Sequence, residues 1–344
     1  MKIAVLAGGI SPERDVSLSS ASLISNSLIK RGHSVALVDV FYGTDARPPF
    51  DTLFSTTPDY SYKIPEVEPD LDALRAEKPN GEMIGKNVIA LCKAADAVFV
   101  AMHGGMGENG QLQAALDCEG ITGYTGSNYA GCLLAMDKNI SKLLTSKAGV
   151  PTADWIMFDT KNDDISRIKN EIGIPCVVKP CGCGSSVGVS IVETENELAP
   201  ALKYAAKYEN TVLIEKKICG REFSCGILCG KALPPIEILP LQGWYDYKNK
   251  YQCGCTKEIC PADLSPEQTS RMQSLALKAH SALALGIYSR SDFLLDEKTG
   301  DFIFLEANAL PGMTPSSLLP QEAAAAGIPY DELCEMLIKA SCEK

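Results

Sequence analysis

The chemistry in this sequence concentrates in SRSDFLLDEKTGDFIFLEANALPGMTPSS, Ser289 to Ser317, where two apolar runs flank the turn signal DEKTGD. A hairpin turn centred near residue 299 sets Asp292 opposite Glu306 and Arg290 opposite Asn308. The two-residue period of a strand then puts all four side chains on one face. Two carboxylates and an amide oxygen are a hard-oxygen set suited to Mg²⁺, and Arg290 can hold an anion beside it. A solvent-facing strand pair with charged side chains would show the same pattern. Leu310 to Thr314 reads as a loop rather than more strand, with free amides beside the metal face.

A second candidate is KPCGCGSSVG, Lys179 to Gly188, where a strand delivers a lysine and Gly182, Gly184 and Gly188 free the backbone. Successive amides in such a flap can wrap phosphate oxygens while the lysine supplies a point charge. The plainer reading is a flexible hairpin loop with an incidental lysine. No G-x-G-x-x-G follows the first strand and no G-x-x-x-x-G-K-[ST] occurs, so any phosphate site is of another kind. Taken singly, Glu13 is an ordinary helix N-cap carboxylate, His103 a structural histidine, and Tyr245, Tyr247 and Tyr251 loop or core aromatics.

The elements that must position these residues follow an α/β pattern. Ile3–Ala7 is a short apolar run ending in Gly-Gly; Leu18, Ala21, Ile24 and Leu28 follow at helical spacing, then the run Val35–Val40. Six prolines between Arg47 and Pro79 (Pro48, Pro49, Pro58, Pro65, Pro69 and Pro79) predict an irregular surface insertion. A strand at Ala97–Ala101 enters a glycine-rich loop, His103 to Gly110, ahead of a helix near Gln111. One long helical stretch from Ser127 carries Lys138. Strands recur at Trp155–Phe158, Cys176–Lys179 and Val189–Val192, up to Glu215, and at Glu222–Cys229. Ser265-Pro266-Glu267-Gln268 opens a helix with a capping box, and Gly286 closes it.

Composition excludes several classes. At 344 residues the chain is long for one core, which favours two or three domains. A net charge of −11 with no basic run argues against nucleic acid and anionic membrane surfaces as partners. The first apolar run is too short for a signal peptide, and nothing approaches the ~18 apolar residues of a membrane span. The 14 cysteines are then expected as free thiols in a reducing cytoplasm. Cys181/Cys183 and Cys253/Cys255 are C-x-C pairs, unlike the C-x-x-C of zinc sites.

Read together, AGGISPERDVSLSS (Ala7–Ser20), HGGMGENG (His103–Gly110), MDK (Met136–Lys138), KPCGCGSSVG, EKKICGREF (Glu215–Phe223), YDYKNKY (Tyr245–Tyr251) and the Ser289–Ser317 stretch resemble the D-alanine:D-alanine ligases of the ATP-grasp superfamily. Order and spacing match along the whole chain. Asn109 in place of a common aspartate, two cysteines in the flap and the Pro-rich insertion are departures.

The resemblance implies an α/β ATP-grasp fold in three domains: a Rossmann-like N-terminal substrate domain over 1–126, a central subdomain over 127–214 and a C-terminal one over 215–344. It implies ATP held by Lys138, Lys179, Ser186, Glu215, Lys216, Ile218, Glu222 and Lys250, and two Mg²⁺ (or Mn²⁺) on Asp292, Glu306 and Asn308. Glu13 and His103 would meet the first D-alanine, Ser317 and Leu318 the carboxylate of the second. Arg290 and the Gly312 amide would stabilise an oxyanion, and Ser185 and Tyr251 would join Glu13 in a latch that excludes water. A cytoplasmic homodimer making a cell-wall precursor dipeptide is the implied whole. A relative that accepts D-serine or D-lactate is the alternative.

Overall fold

The computed structural model describes residues 1–65, 67–184, 186–240 and 256–343. Lys2–Ala7 (β1) pairs in parallel with Ser34–Asp39 (β2) and Ala97–Val100 (β3), in the order β2-β1-β3. As the middle strand β1 is covered on both faces, which is why it reads as an unbroken apolar run. Helix α1, Arg14–Lys30, makes the crossover from β1 to β2.

The Pro-rich excursion is less irregular than expected. It carries a 3₁₀ turn at Phe50–Leu53 and a helix, Leu71–Glu77 (α2), whose N-cap Asp70 accepts hydrogen bonds from the Asp72 and Ala73 amides. After α3, Val88–Ala94, the glycine-rich loop also holds a single helical turn, Gly105–Glu108 (α4), ahead of α5, Gln111–Cys118. The stretch expected as one helix from Ser127 is two, Tyr129–Met136 (α6) and Lys138–Lys147 (α7). Asp137 parts them. Its backbone is extended (φ −79°, ψ 105°), and its carboxylate accepts from the Ile140 amide at 2.9 Å, so it caps α7 and leaves Lys138 at the first helical position.

A second sheet is antiparallel, built of Trp155–Asp159 (β4), Cys176–Pro180 (β5), Ser190–Val192 (β6) and Thr211–Lys216 (β7) in the order β4-β7-β5-β6. Helices Ser166–Glu171 (α8) and Glu195–Ala205 (α9) pack on it through Ile168, Leu198 and Ala201 against Val178, Val192 and Ile214. β7 runs without a break across residue 214, the boundary expected between the last two domains.

The third sheet holds Gly220–Leu228 (β8), Lys231–Ala232 (β9), Ile236–Pro240 (β10), Thr256–Ile259 (β11), Tyr288–Asp296 (β12) and Phe302–Asn308 (β13). Its order is β11-β10-β8-β12-β13, with β9 on β8. Helix α10, Pro266–Ala282, starts with both halves of the capping box formed. It ends short of Gly286, because Ala284 already turns left-handed at φ +50°. Leu318–Ala325 (α11) and Tyr330–Cys342 (α12) close the chain. Their Leu319, Leu333, Leu337 and Ile338 belong to the core of the first sheet, so the two ends of the sequence share one apolar interior. Among the described residues no helix is long and apolar enough to cross a membrane.

Candidate active site

The β12–β13 hairpin pairs Arg290 with Asn308, Ser291 with Ala307 and Asp292 with Glu306, the register read from the sequence. It does so through a bulge. Nearer the turn the pairs are Phe293 with Phe304 and Leu295 with Phe302, and Leu305 is the additional residue. Counting out from the turn without that bulge would set Asp292 against Leu305. The polar face is not a solvent face, for Asp292 is 5% exposed. Arg290 donates to it twice, Nε to Oδ1 and a terminal nitrogen to Oδ2, both at 2.9 Å. Asn308 donates to Oδ2 at 3.2 Å and the Ser224 hydroxyl of β8 to Oδ1 at 2.7 Å.

The donor set fits Mg²⁺ carried with a nucleotide. Among the described residues no group of three His, Cys, Asp or Glu could hold a metal by itself. Mg²⁺ uses one or two carboxylates and takes its remaining ligands from phosphates and water, and Asp292, Glu306 and Asn308 offer that partial set.

KPCGCGSSVG joins β5 to β6 and is therefore a hairpin loop, but its lysine is not incidental. Lys179 is 7% exposed and lies 2.5 Å from Glu215 Oε1; Lys142 donates to the other oxygen of Glu215 at 2.9 Å. Burial pushes the Glu215 carboxyl up, yet Lys179 and Lys142 outweigh it and hold it below its ordinary value. Burial also pushes the Lys142 ammonium down against the pull of Glu215. Two flap amides are committed as well: Cys181 and Gly182 donate to Glu209 at 2.8 and 2.7 Å. The rest of the flap turns left-handed at Ser186 (φ +61°) and Gly188 (φ +75°). Lys138 spans the parts, donating to the Cys183 carbonyl at 2.7 Å and standing 3.5 Å from Glu306. Glu222 lies on β8, paired with Leu294 in the register of β12.

Glu13 is the N-cap of α1, but its side chain makes no cap hydrogen bond, contrary to the plain reading of it. A Cβ on Gly104 would stand 2.8 Å from Glu13 Oε2, and one on Gly184 of the flap 3.7 Å from it. The close approach of the glycine-rich loop, at φ +64°, is thus one that only glycine permits. His103 Nδ1 faces Glu108 at 3.8 Å. Burial lowers the affinity of His103 for its proton, but the Glu108 and Glu13 carboxylates reverse this and raise its pKa. Burial also raises Glu108, against His103 and helped by the charge of Glu13.

The loop after β13 brings Gly312 and Ser317 together. Ser317 Oγ accepts from the Thr314 amide at 3.1 Å, and a Cβ on Gly312 would meet that oxygen at 2.9 Å. Ser317 caps α11, so Leu318 opens a helix whose first amides suit a carboxylate.

A cavity of about 510 Å³ unites Glu13, His103, Lys138, Arg290, Glu306, Asn308, Gly312, Ser317 and Leu318. Asp292, held from behind by Arg290, does not line it, nor do Lys179, Ser186, Glu215, Lys216, Ile218 and Glu222; Lys138 is the link to this second set. Ser185, Lys250 and Tyr251, with Tyr245 and Tyr247, lie outside the described residues. Sequence reading passed over Lys142, Glu209, Glu108 and Ser224. Lys142 stands four residues after Lys138 on one helix face and Glu108 inside HGGMGENG, so both left a signal. Glu209 and Ser224 left none.

Comparison with known proteins gives the family. The family profiles described as D-ala D-ala ligase N-terminus and D-ala D-ala ligase C-terminus match residues 2–127 and 144–339. The D-alanine–D-alanine ligase of Pediococcus pentosaceus is 43% identical over 98% of this chain and 97% of its own. The crystal structure of D-alanine–D-alanine ligase from Bacillus anthracis superposes with a TM-score of 0.77 at 32% identity, over 100% of this chain and 98% of that one. The VanG D-Ala:D-Ser ligase of Enterococcus faecalis gives 0.77 at 25% identity over 99% of both. The fold is that of the ATP-grasp enzymes, and the chain belongs to the D-alanine–D-alanine ligase family.

Proposed function

We propose that the chain is a ligase that uses ATP to join two D-alanine molecules into D-alanyl-D-alanine, a peptidoglycan precursor, through a D-alanyl phosphate. The observation that carries this is the Arg290–Glu306–Asn308 face, with Asp292 buried behind it, set beside Lys138 in a cavity that also holds Glu13 and the start of α11. Glu13 pairs with the ammonium of the first D-alanine, and His103, kept in place by Glu108, lines the same corner. Mg²⁺ held on Asp292, Glu306 and Asn308 would neutralise charge on the phosphoryl group in transit. Lys138 and Lys179 bring further positive charge to the phosphates. Phosphoryl transfer needs mainly this positioning and neutralisation.

The first carboxylate, once phosphorylated, is attacked by the amine of the second D-alanine, whose carboxylate is held by Ser317 and the Leu318 amide. An oxyanion forms, and Arg290 with the Gly312 amide supplies its donors. The bidentate bond to Asp292 fixes the Arg290 guanidinium beforehand. The flap, already near Glu13 at Gly184, covers the acyl phosphate and excludes water, with its own Ser185 and, from the segment after β10, Lys250 and Tyr251 assigned to closure. The family likeness supports a cytoplasmic homodimer, which sedimentation would test.

The test is a coupled assay of ADP release with D-alanine, D-serine, D-lactate and L-alanine offered in turn, with and without EDTA. D-alanine should give ADP, phosphate and dipeptide in equal amounts, and EDTA should abolish all three. Turnover with EDTA present, or preference for L-alanine, would overturn the reading; preference for D-serine would move it to the alternative second substrate.

A further inference from the structure

The Pro-rich excursion has no part in the chemistry above, yet it reaches the cavity. Its course over α1 is fixed at two points. Asn26 donates to the Tyr60 carbonyl at 2.7 Å and accepts from the Tyr60 amide at 3.0 Å, while the Tyr60 hydroxyl donates to the Val35 carbonyl at 3.0 Å. Two residues on, the Tyr62 hydroxyl donates to Asp15, in the first turn of the helix that Glu13 caps. Two residues further, Ile64 forms part of the cavity wall together with Val16, Ser19 and Leu23 of α1.

Those three positions follow Glu13 at helical spacing, so they continue its stripe along the helix. At 1.5 Å per residue the stripe from Glu13 to Leu23 runs about 15 Å. Leu23 and Ile64 are 39% and 46% exposed, apolar side chains left facing an opening instead of the core. A D-amino acid held by its ammonium at Glu13, with its carboxylate toward Arg290, has only its side chain left to direct; among the apolar residues of this cavity Val16 stands one helical turn from Glu13, and Ile64 follows two residues after the Tyr62 tether at Asp15.

We propose that Ile64, held over α1 by Tyr60 and Tyr62, is a specificity-determining residue that with Val16 limits the side-chain length of the first D-amino acid. The proposal rests on the reading of Glu13 as the ammonium site of the first substrate. A missing methylene's worth of wall in an apolar pocket changes selection about 10-fold or more. The substrates it would discriminate are unbranched apolar D-amino acids longer than D-alanine.

The experiment offers equal D-alanine and D-norvaline with ATP and Mg²⁺, and sequences the dipeptides by mass spectrometry, since the first substrate becomes the N-terminal residue. Ile64→Ala should raise the norvaline-to-alanine ratio at the N-terminal residue about 10-fold. Ile64→Trp should lower it, and Tyr62→Phe, which removes the tether to Asp15, should move it as Ile64→Ala does but less. A fall in total rate with an unchanged ratio would mean a purely structural role and overturn the proposal. So would a change confined to the C-terminal residue. Glu13→Gln separates the two readings: an unaltered KM for the first D-alanine would refute the Glu13 assignment, whereas the ratio at the N-terminal residue reports on Ile64 alone.

Discussion

At the scale of single residues, charge is placed by partners that sit far away in sequence. Glu215 is shared by Lys142 and Lys179, so removing the carboxylate leaves two buried ammonium groups side by side with no counter-charge between them. Glu215→Gln should therefore destabilise the protein by about 3–5 kcal/mol at pH 7, read by denaturant unfolding. The carboxylate also sets a pH dependence. Because the folded state holds Glu215 below its ordinary value, its contribution is fully present above the unfolded pKa of about 4.3 and is lost as pH falls through the folded one. The stability difference between Glu215→Gln and the native protein should be full at pH 7 and shrink in acid below about pH 4. A difference that stayed constant with pH would remove the ion pairs from the account. Arg290 is proposed to act in the chemistry instead. Arg290→Ala should fold and cost about 10²–10³ in kcat, as the loss of an oxyanion donor does.

At the scale of elements, the flap and the hairpin carry the site, and both show what a sequence can and cannot reveal. Glu209 holds the base of the flap through the Cys181 and Gly182 amides. Hydrogen bonds to a charged group contribute about 1.5–3 kcal/mol, so Glu209→Ala should raise the KM for ATP about 10-fold and speed proteolysis within the flap. Unchanged proteolysis would contradict the anchor. The hairpin face was legible because the turn signal and the two-residue period together set a register. The bulge at Leu305 was not, since nothing local marks it, and the expected pairs hold only with it in place. Asp137 breaks a helix that apolar spacing alone makes continuous, although an aspartate before Lys138 is an N-cap signal. Asp70 gives the same signal for α2, masked by the six surrounding prolines. Glu209 and Ser224 act across long separations in sequence, which no local pattern encodes.

At the scale of the molecule, the first sheet borrows part of its core from the last two helices. His33 meets Glu335 at 2.6 Å, and Leu333, Leu337 and Ile338 complete the apolar interior around β1 and β3. A fragment of residues 1–127 should consequently lack cooperative unfolding and expose apolar surface, seen by calorimetry and dye binding, whereas the full chain should not. A fragment that melted cooperatively would mean that the shared core is dispensable. The arrangement also bears on the proposed catalysis, because α11, the proposed seat of the second carboxylate, is packed on the core of the first sheet, next to Glu13. On the proposed reading both substrate ends are thus referred to one shared interior, to which the flap and hairpin bring the phosphate chemistry. The central claim is that this assembly activates the first D-alanine as an acyl phosphate. D-alanine labelled with ¹⁸O in its carboxylate, incubated with ATP and Mg²⁺, should deliver one ¹⁸O into each inorganic phosphate released per dipeptide, measured by mass spectrometry. Unlabelled phosphate, or AMP and pyrophosphate in place of ADP and phosphate, would contradict the account.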